Sequence, residues 1–405
     1  MQNKNMQKWK FKWKPQFSER EASSGSGKHK RRGAALILAA ALAAESFAGT
    51  AAFASTLGNQ FLERKIQTTW STELTNGVFY STALADRITE NFISYSPGGN
   101  VRPIVAYGND IYGAASFKTV VSYAEAAGQH VVAGINADYF TMANGVSDGI
   151  VIQDGVIKTS ESSKNTSIGF RTDGTAFIGR SNLNIHVSCE RFAYGVGHVH
   201  LNKAVSNTSG IVMYTDAFHS TNKATIPTIN VLLDVSGEVP QINQTMRGIV
   251  EEVTETAGAT AIPDGKVLLS LSANSSYTTT LAQFKEIQVG DAISFRFTAD
   301  ESWNDVVSAV GAGEKLLTQG ANVAPSTGGR QPRTAFGIKS DGTVILYTVD
   351  GRQNGYSVGA TFREEAGRMQ ELGCVEAVNL DGGGSTALLA RYPGNTDIED
   401  RRAHV

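Results

Sequence analysis

The chain has 405 residues, with 36 Lys and Arg against 38 Asp and Glu and a formal net charge of −2 at pH 7. Residues 1–54 contain 10 of these basic and 3 of these acidic residues, so the rest of the chain has 26 basic and 35 acidic residues and a net charge of −9. Because an acidic chain binds polyanions poorly, this composition excludes nucleic acid and anionic membranes as general partners.

The first 54 residues have the pattern of an export signal. A basic run at 28–32 precedes an apolar run at 34–44, and an A-x-A cleavage site ends at Ala54, before Ser55. The apolar run is shorter than the roughly 20 residues that a membrane span needs. We therefore predict a removable segment over 1–54, with an uncleaved anchor as the alternative, and no integral membrane domain beyond it. The mature protein is then secreted or attached to a bacterial cell surface or wall.

Cysteine content and the absence of linkers both favour one compact catalytic unit over 55–405. The two cysteines, Cys189 and Cys374, are too few to hold a core of this size together, so we predict that both are free and buried. No Pro-, Ser- or Gly-rich stretch divides the unit. We divide it only into blocks at 69–180, 181–325 and 326–405.

The first block contains a predicted helix over 116–127 that has one apolar face. A glycine ends this helix, and a buried strand is predicted over 131–135. The strand delivers Asn136 and Asp138 to a loop. The apolar face is formed by Phe117, Val120, Val121 and Ala124.

The last block repeats this order of helix, glycine and strand. A helix is predicted over 361–372 and a strand over 375–380, which leads into Asp381. Two hairpins with Asp-Gly turns, at 169–175 and 337–343, also resemble each other. These similarities suggest two related halves.

The middle block, 181–325, alternates short apolar runs with polar turns and is predicted to be a β-rich insertion. Hairpins and a few helices without a regular βαβ series indicate an α+β fold of mixed or antiparallel sheets.

A polar turn follows the last predicted strand, with the sequence Asp381, Gly382, Gly383, Gly384, Ser385 and Thr386. Successive glycines allow backbone N–H groups to face a ligand, while the acid and the two hydroxyls add polar contacts. The turn therefore predicts a small-anion or sugar site, with a flexible surface turn as the alternative. It is not a P-loop, because no lysine follows the glycines.

Together with this turn, three other segments resemble the phosphodiester glycosidase family in its long bacterial branch. They are Gly-Ile-Asn-Ala-Asp-Tyr-Phe at 134–140, Arg-Thr-Ala-Phe-Gly at 333–337 and Asp-Gly-Arg-Gln at 350–353. The resemblance covers nearly all of the chain after about Thr69. It implies a hydrolase that cleaves the glycosidic C–O bond of a sugar-1-phosphodiester of N-acetylglucosamine type, in a cell-wall, capsular or teichoic-type phosphoglycan.

Such a reaction needs a base or nucleophile more than an acid, because a phosphate monoester with a second pKa near 6 is a good leaving group. Asp381 is the candidate for this role, with Asp350 or Asp138 as a second carboxylate. Asp350 also fits an ordinary Asp-Gly turn.

The candidate substrate-binding residues surround these acids. Arg333 and Arg352 suit phosphate because the guanidinium binds phosphate oxygens in pairs, although either arginine could form a structural salt bridge instead. Asn136 and Asn379 could bind sugar hydroxyls or cap their own turns. Gln353 could orient its neighbouring arginine or contact substrate. The turn itself contributes Gly382, Gly383, Gly384, Ser385 and Thr386.

Two other functions fit the same residues. In one, Asp381, Asp350 and Asp138 hold a divalent metal in a phosphodiesterase that cuts the P–O bond. In the other, the protein binds a wall glycan without turnover. The sequence requires no cofactor for the glycosidase. The resemblance also implies a last strand after Pro393, which the short charged segment 395–405 is not expected to form.

Overall fold

The structure is a computed structural model that describes residues 67–85, 87–161, 166–191 and 199–402. The predicted export segment, 1–54, lies outside these residues, and the domain boundaries predicted at 54 and 55 stay predictions. In the described ranges, every helix is too short or too polar to span a membrane.

The first half of the described chain is built from short strands. These are β1 Gln67–Thr75, β2 Val78–Ala85, β3 Ile88–Tyr95, β4 Ala133–Ile135, β5 Val151–Gln153, β6 Val156–Thr159, β7 Ser167–Arg171, β8 Ala176–Gly179, β9 Asn184–Cys189, β10 Val199–Leu201, β11 Ile211–Tyr214 and β12 Thr228–Asp234.

Strands also dominate the second half. These are β13 Thr245–Thr256, β14 Lys266–Ser272, β15 Ala292–Thr298, β16 Val306–Gly311, β17 Lys315–Thr318, β18 Ala321–Asn322, β19 Arg333–Lys339, β20 Val344–Val349, β21 Cys374–Asn379, β22 Ala387–Ala390 and β23 Glu399–Arg402.

The described α-helices are α1 Phe117–Ala126, α2 Thr278–Phe284 and α3 Phe362–Glu371. The helices predicted over 116–127 and 361–372 are confirmed within one residue at each end. Ser116 caps α1 by accepting from the N–H of Thr119, and Thr361 forms a reciprocal capping box with Glu364 on α3.

Four sheets form from these strands. The largest has the order β1-β2-β3-β20-β19-β21-β17-β18, and a seven-stranded sheet has the order β10-β11-β14-β12-β13-β15-β9. A five-stranded sheet, β6-β5-β16-β7-β8, and a three-stranded sheet, β23-β22-β4, complete the set. The pairing of β10 with β11 is parallel, whereas the others are antiparallel. The sheet-rich α+β fold is thus confirmed, and β9 to β15 account for much of the predicted insertion.

The five-stranded sheet lies between two hydrophobic cores. On β5, Val151 belongs to the core of the eight-stranded sheet and Ile152 to the core of the seven-stranded sheet. Ala309 and Val310 on β16 divide in the same way. Adjacent residues of a strand point to opposite faces, so one short sheet packs against two larger ones.

Several smaller predictions can be compared with these elements. Both Asp-Gly hairpins are confirmed, since Asp173 accepts from the N–H of Thr175 and Asp341 from that of Thr343. Cys189 and Cys374 are free and buried, as expected. The expectation that the last strand is missing is wrong, because β23 pairs with β22 in an antiparallel register. That pairing covers the edge which β22 would otherwise expose.

Candidate active site

The glycine turn is fixed by its contact with the residues that precede β19. The N–H of Gly383 donates to the carbonyl of Pro332 at 2.9 Å, and a Cβ on Gly382 would lie 2.8 Å from that carbonyl oxygen. Gly383 has a φ of +60°, which a side chain would strain. Gly384 is exposed. Gly382 is therefore needed for close backbone approach and Gly383 for its backbone conformation, and the N–H groups of both are used within the protein.

Asp381 is held by the turn that it begins. Its carboxylate accepts from the side chain of Ser385 and from the N–H of Gly382. Burial raises the pKa of Asp381 above its usual value, and the charge of Asp148 raises it further, while the two hydrogen bonds lower it. The carboxyl is half-buried and sits beside a hydroxyl donor, which suits a base or nucleophile.

Asn136 joins the first block to this turn. Its amide nitrogen donates to the carbonyl of Asp381 at 2.7 Å. Its amide oxygen accepts from the hydroxyl of Thr334 and from the N–H of Ala387, both at 2.9 Å. These contacts use the amide for positioning, so they favour the structural alternative over sugar binding.

Asn379 connects a tyrosine with a glutamate. Its amide nitrogen donates to the hydroxyl of Tyr139 at 2.7 Å and lies 3.3 Å from Oε2 of Glu314. The same nitrogen donates to the carbonyl of Leu380 at 2.7 Å. Burial, together with the charges of Glu314 and Asp381, raises the pKa of Tyr139 and keeps its hydroxyl protonated. Asn379 is fully buried, so we assign it the role of orienting the side chains of Tyr139 and Glu314 and not of contacting substrate.

Asp138 is packed between two glycines. Its Oδ2 accepts from the N–H of Gly149 at 2.6 Å, and a Cβ on Gly311 would lie 2.5 Å from the same oxygen. Its Oδ1 is buried and has no hydrogen-bond partner among the described residues. Desolvation raises the pKa of Asp138 to about 7. This carboxyl is thus buried against the backbone at Gly149 and Gly311.

A buried lysine stands behind Asp138. Lys203 is 6% exposed, and its ammonium donates to the carbonyls of Ser147 at 2.5 Å and Gly149 at 3.3 Å. Desolvation lowers its pKa, whereas Asp138 and Asp148 favour the charged form. No sequence motif indicates this lysine, because it lies in the middle block, more than 50 positions from its partners.

Arg352 is the arginine that borders the glycine turn. Its side chain is exposed, and Nη2 lies 3.0 Å from the point where a Cβ on Gly383 would stand. Gln331 orients it by accepting from Nε at 2.6 Å. The backbone of Gln353 closes a turn with Ser357, and the role of its side chain at the site stays a prediction.

The guanidinium of Arg333, in contrast, is buried and forms its contacts within the protein. The residue is 7% exposed, and it donates to the carbonyls of Ala360 at 3.1 Å and Gly329 at 3.0 Å. Its guanidinium also stacks at 3.9 Å over the ring of Phe362. These contacts favour a structural role, and phosphate binding by Arg333 stays a prediction.

Asp350 organises the loop that carries Arg352. It is 6% exposed, and its Oδ2 accepts from the hydroxyl of Tyr356 at 3.1 Å. Its carbonyl accepts from the hydroxyl of Ser357 at 2.6 Å, and its N–H donates to Thr89. Because the fold uses both the backbone and the carboxyl, the alternative of a structural Asp-Gly turn is favoured.

Two acidic residues at the site were not selected from the sequence. Asp148 raises the pKa of both Asp138 and Asp381, so its carboxylate lies within electrostatic reach of each. Glu314 follows Gly313, where a Cβ would lie 2.9 Å from the Tyr139 ring. That glycine was the available signal, since close packing requires it. In the part of the chain that the structure describes, no three His, Cys, Asp or Glu side chains are arranged to hold a metal ion.

Known proteins resemble this chain in segments or in fold. Over 78 residues it is 41% identical to the SPbeta prophage-derived uncharacterized protein YomE of Bacillus subtilis (strain 168), a match that covers 19% of this chain and 12% of YomE. A hypothetical protein from Synechocystis superposes with a TM-score of 0.64 at 22% identity, over 84% of this chain and 61% of that one. A protein of Burkholderia pseudomallei K96243, provisionally named as exported, superposes with a TM-score of 0.55 at 19% identity, over 76% of this chain and 70% of that one.

The two structural matches are below 25% identity and show the fold alone. The sequence model of the phosphodiester glycosidase family matches residues 236–404. That segment contains the glycine turn, Arg352 and Asp350, whereas Asn136 and Asp138 precede it. A glycosidase-type function is therefore supported. The resemblance predicted from the sequence is confirmed over residues 236–404, which match a phosphodiester glycosidase domain, and its extension back to about Thr69 stays a prediction.

Proposed function

We propose that the protein is an exported hydrolase that cleaves the glycosidic C–O bond of a sugar-1-phosphodiester, of N-acetylglucosamine type, in a cell-wall, capsular or teichoic-type glycan. One observation carries this proposal. The carboxyl of Asp381 and the guanidinium of Arg352 lie at one glycine turn, with Gly383 beside the guanidinium. The glycosidic bond joins a sugar carbon to a phosphate oxygen. A carboxylate can act on the sugar side of this bond, and a guanidinium can bind the phosphate on the other side.

Arg352 suits the phosphate end. It is exposed, it is oriented through Nε by Gln331, and Nη2 stands at the turn. A guanidinium can bind two phosphate oxygens together, which fixes the diester and stabilises the negative charge of the departing phosphate monoester.

Asp381 suits the sugar end. The hydrogen bonds from Ser385 and Gly382 stabilise its carboxylate, so it can accept a proton from water or attack the anomeric carbon. Because a phosphate monoester leaves readily, this role needs little help from an acid.

For the second carboxylate we favour Asp148 over Asp350. Asp148 acts electrostatically on Asp381, while Asp350 is engaged with Tyr356 and the backbone of its loop. Asp138 accepts from the N–H of Gly149, and burial raises its pKa to about 7, so near pH 7 it is present in both its protonated and its charged form.

Export and the wall context rest on the signal pattern of residues 1–54 and on the family resemblance. The fold shared with the Burkholderia protein, whose provisional name describes it as exported, is compatible with this proposed location.

The test is to incubate the protein with a synthetic N-acetylglucosamine-α-1-phosphodiester and to identify the sugar product, with and without a chelator. Free N-acetylglucosamine, unaffected by chelation and lost in Asp381→Asn, is the expected result. Sugar-1-phosphate lost on chelation would instead favour P–O cleavage by a metal-dependent phosphodiesterase. Binding without any product, unchanged in Asp381→Asn, would favour a glycan-binding module.

A further inference from the structure

A cavity of about 870 Å³ borders the glycine turn. Gly384, Ser385 and Thr386 line one part of it, and most of the remaining lining is apolar. Protein interiors are close-packed and have few voids larger than a water molecule. A cavity of this size falls in the range of ligand pockets.

One wall of the cavity is the apolar face of α1. Phe117, Val120, Val121 and Ala124, the four residues predicted to form the apolar face of this helix, all line the cavity, and Val121 is the buried member. The ring of Phe117 approaches β4, where a Cβ on Gly134 would lie 3.4 Å from it. The helix therefore contacts the body of the protein at one end and faces the cavity along the rest of this apolar face.

The large sheet contributes another part of the lining. Val78, Ile93, Phe336 and Leu346, from four of its strands, line the cavity. The apolar face of α1 and an apolar part of the sheet thus border one space that a further apolar group can fill, and burial of such a group is favourable.

Two hydroxyls in this lining are unusual. Tyr95 is 7% exposed and Thr386 is 1% exposed, and neither hydroxyl oxygen has a hydrogen-bond partner among the described residues. Buried polar groups are normally paired, because leaving one unpaired is costly. These two hydroxyls are therefore available to oxygen atoms of a ligand.

The cavity is continuous with the proposed site through Ser385. This residue lines the cavity and also donates to the carboxylate of Asp381. A ligand whose polar part lies at the turn can consequently extend an apolar part along α1 and the sheet.

We propose that the cavity binds a long alkyl or acyl chain carried by the alcohol side of the phosphodiester, so that the substrate is an amphiphile. This inference rests on the proposed function for the position of the phosphate. A second sugar unit fits less well, because sugar rings need many hydrogen-bonding groups and most of these walls are aliphatic or aromatic.

The experiment measures the binding of n-alkyl phosphates with 4, 6, 8, 10 and 12 carbons to the full chain by calorimetry, below their micelle concentrations. These probes contain no sugar, so they test the cavity without turnover. Burial of one methylene corresponds to roughly a threefold to fourfold gain in affinity. We expect Kd to fall by about that factor per carbon and then to level off once the chain fills the cavity.

Ala124→Phe narrows the cavity, and Ala126→Phe makes the same change at an exposed position of the same helix. Ala124→Phe should lower the affinity for dodecyl phosphate at least tenfold and leave the affinity for butyl phosphate unchanged. Its affinity should stop rising at a shorter chain length than in the wild type. Ala126→Phe should behave as wild type. If Ala124→Phe does not fold, the wild-type series of alkyl phosphates still tests whether the cavity binds an alkyl chain.

A flat wild-type series, or equal curves for Ala124→Phe and Ala126→Phe, would overturn the proposal. A failed glycosidase assay together with a rising and levelling series would overturn only the proposed function. Turnover of a short-chain diester together with a flat series would overturn only the alkyl site.

Discussion

The amide nitrogen of Asn136 donates to the backbone carbonyl of Asp381 at 2.7 Å, across 245 positions of the chain. The N–H of Asp381 also donates to the carbonyl of Ala137 at 2.8 Å. The loop after β4 and the turn after β21 are thereby held as one unit. The position of the candidate base therefore depends on a residue in the first block.

Asn136→Ala should reduce both stability and activity. It removes the partners of the Asp381 carbonyl, the Thr334 hydroxyl and the Ala387 N–H, and an unpaired buried group costs about 1–3 kcal/mol. We expect the free energy of unfolding to fall by at least about 2 kcal/mol. Urea unfolding measures this change. Asn184→Ala, on an exposed position of β9, is the control, and equal losses in the two variants would contradict the role of Asn136.

Asp381→Asn should leave the fold intact and lower kcat by about 10²–10⁴, the range for loss of a general base. Steady-state kinetics on the synthetic diester measure the effect, with thermal unfolding as the check on folding. Asp341→Asn, in the β19–β20 hairpin, is the matched control and should retain wild-type rates. A kcat within threefold of wild type in Asp381→Asn would remove Asp381 from the chemistry.

Arg352→Gln should weaken recognition of phosphate. A hydrogen bond to a charged group is worth about 1.5–3 kcal/mol, so kcat/KM for the diester should fall roughly 10–150-fold. An aryl N-acetylglucosaminide without phosphate should be affected far less. Arg363→Gln, at an exposed position of α3, should leave kcat/KM unchanged for both substrates. Equal losses on both substrates would argue that Arg352 supports the turn and does not bind phosphate.

Arg368→Met should destabilise the protein strongly. Arg368 on α3 donates to Glu90 on β3 at 2.7 Å, with exposures of 8% and 2%, and the Tyr347 hydroxyl donates to the other oxygen of Glu90. Removing one partner leaves a buried charge, which costs about 3–5 kcal/mol. The double variant Glu90→Met with Arg368→Met should recover much of this loss in urea unfolding. No recovery would mean that packing, and not the unpaired charge, sets the cost.

Asp138 should make stability depend on pH in a defined window. Burial raises its pKa from an ordinary value near 4 to about 7, so the folded state holds a proton that the unfolded state releases. The resulting stability is complete below about pH 4 and is lost as pH rises to about 7. The lowered pKa of Lys203 acts in the alkaline range, outside this window.

Urea unfolding from pH 4 to pH 8 measures this effect in wild type, Asp138→Asn and Asp173→Asn. The asparagine in Asp138→Asn still accepts from Gly149 but does not titrate, so its stability should change less over this range. Asp173→Asn, at an exposed turn, should keep the wild-type slope. An unchanged slope in Asp138→Asn would contradict the raised pKa.

Local patterns predicted several elements well. The caps Ser116 and Thr361 lie within one residue of the predicted helix starts, because capping depends on a few adjacent residues. The two Asp-Gly hairpins were predictable for the same reason, since the aspartate that accepts and the threonine N–H that donates are two positions apart.

Partners distant in sequence were not predictable. Lys203 and Gln331 lie in no local motif. Lys203 contacts the carbonyl of Gly149, and Gln331 contacts Arg352, only because the fold places these distant segments side by side. The apolar stripe of α1 was recognised, but not that it would line a cavity, because periodicity gives the face of a helix and not what lies opposite it.

The sequence by itself determined the sheet-rich α+β class, the family resemblance and the glycine turn with its acid, because each depends on neighbouring residues or on composition. Only the tertiary structure distinguished Arg352, exposed at the turn, from Arg333, buried over Phe362. It alone showed that Asp350 is bound into its loop and that the charge of Asp148 raises the pKa of Asp381. Burial, and with it the charge state and accessibility of a side chain, is set by contacts between segments far apart in the chain.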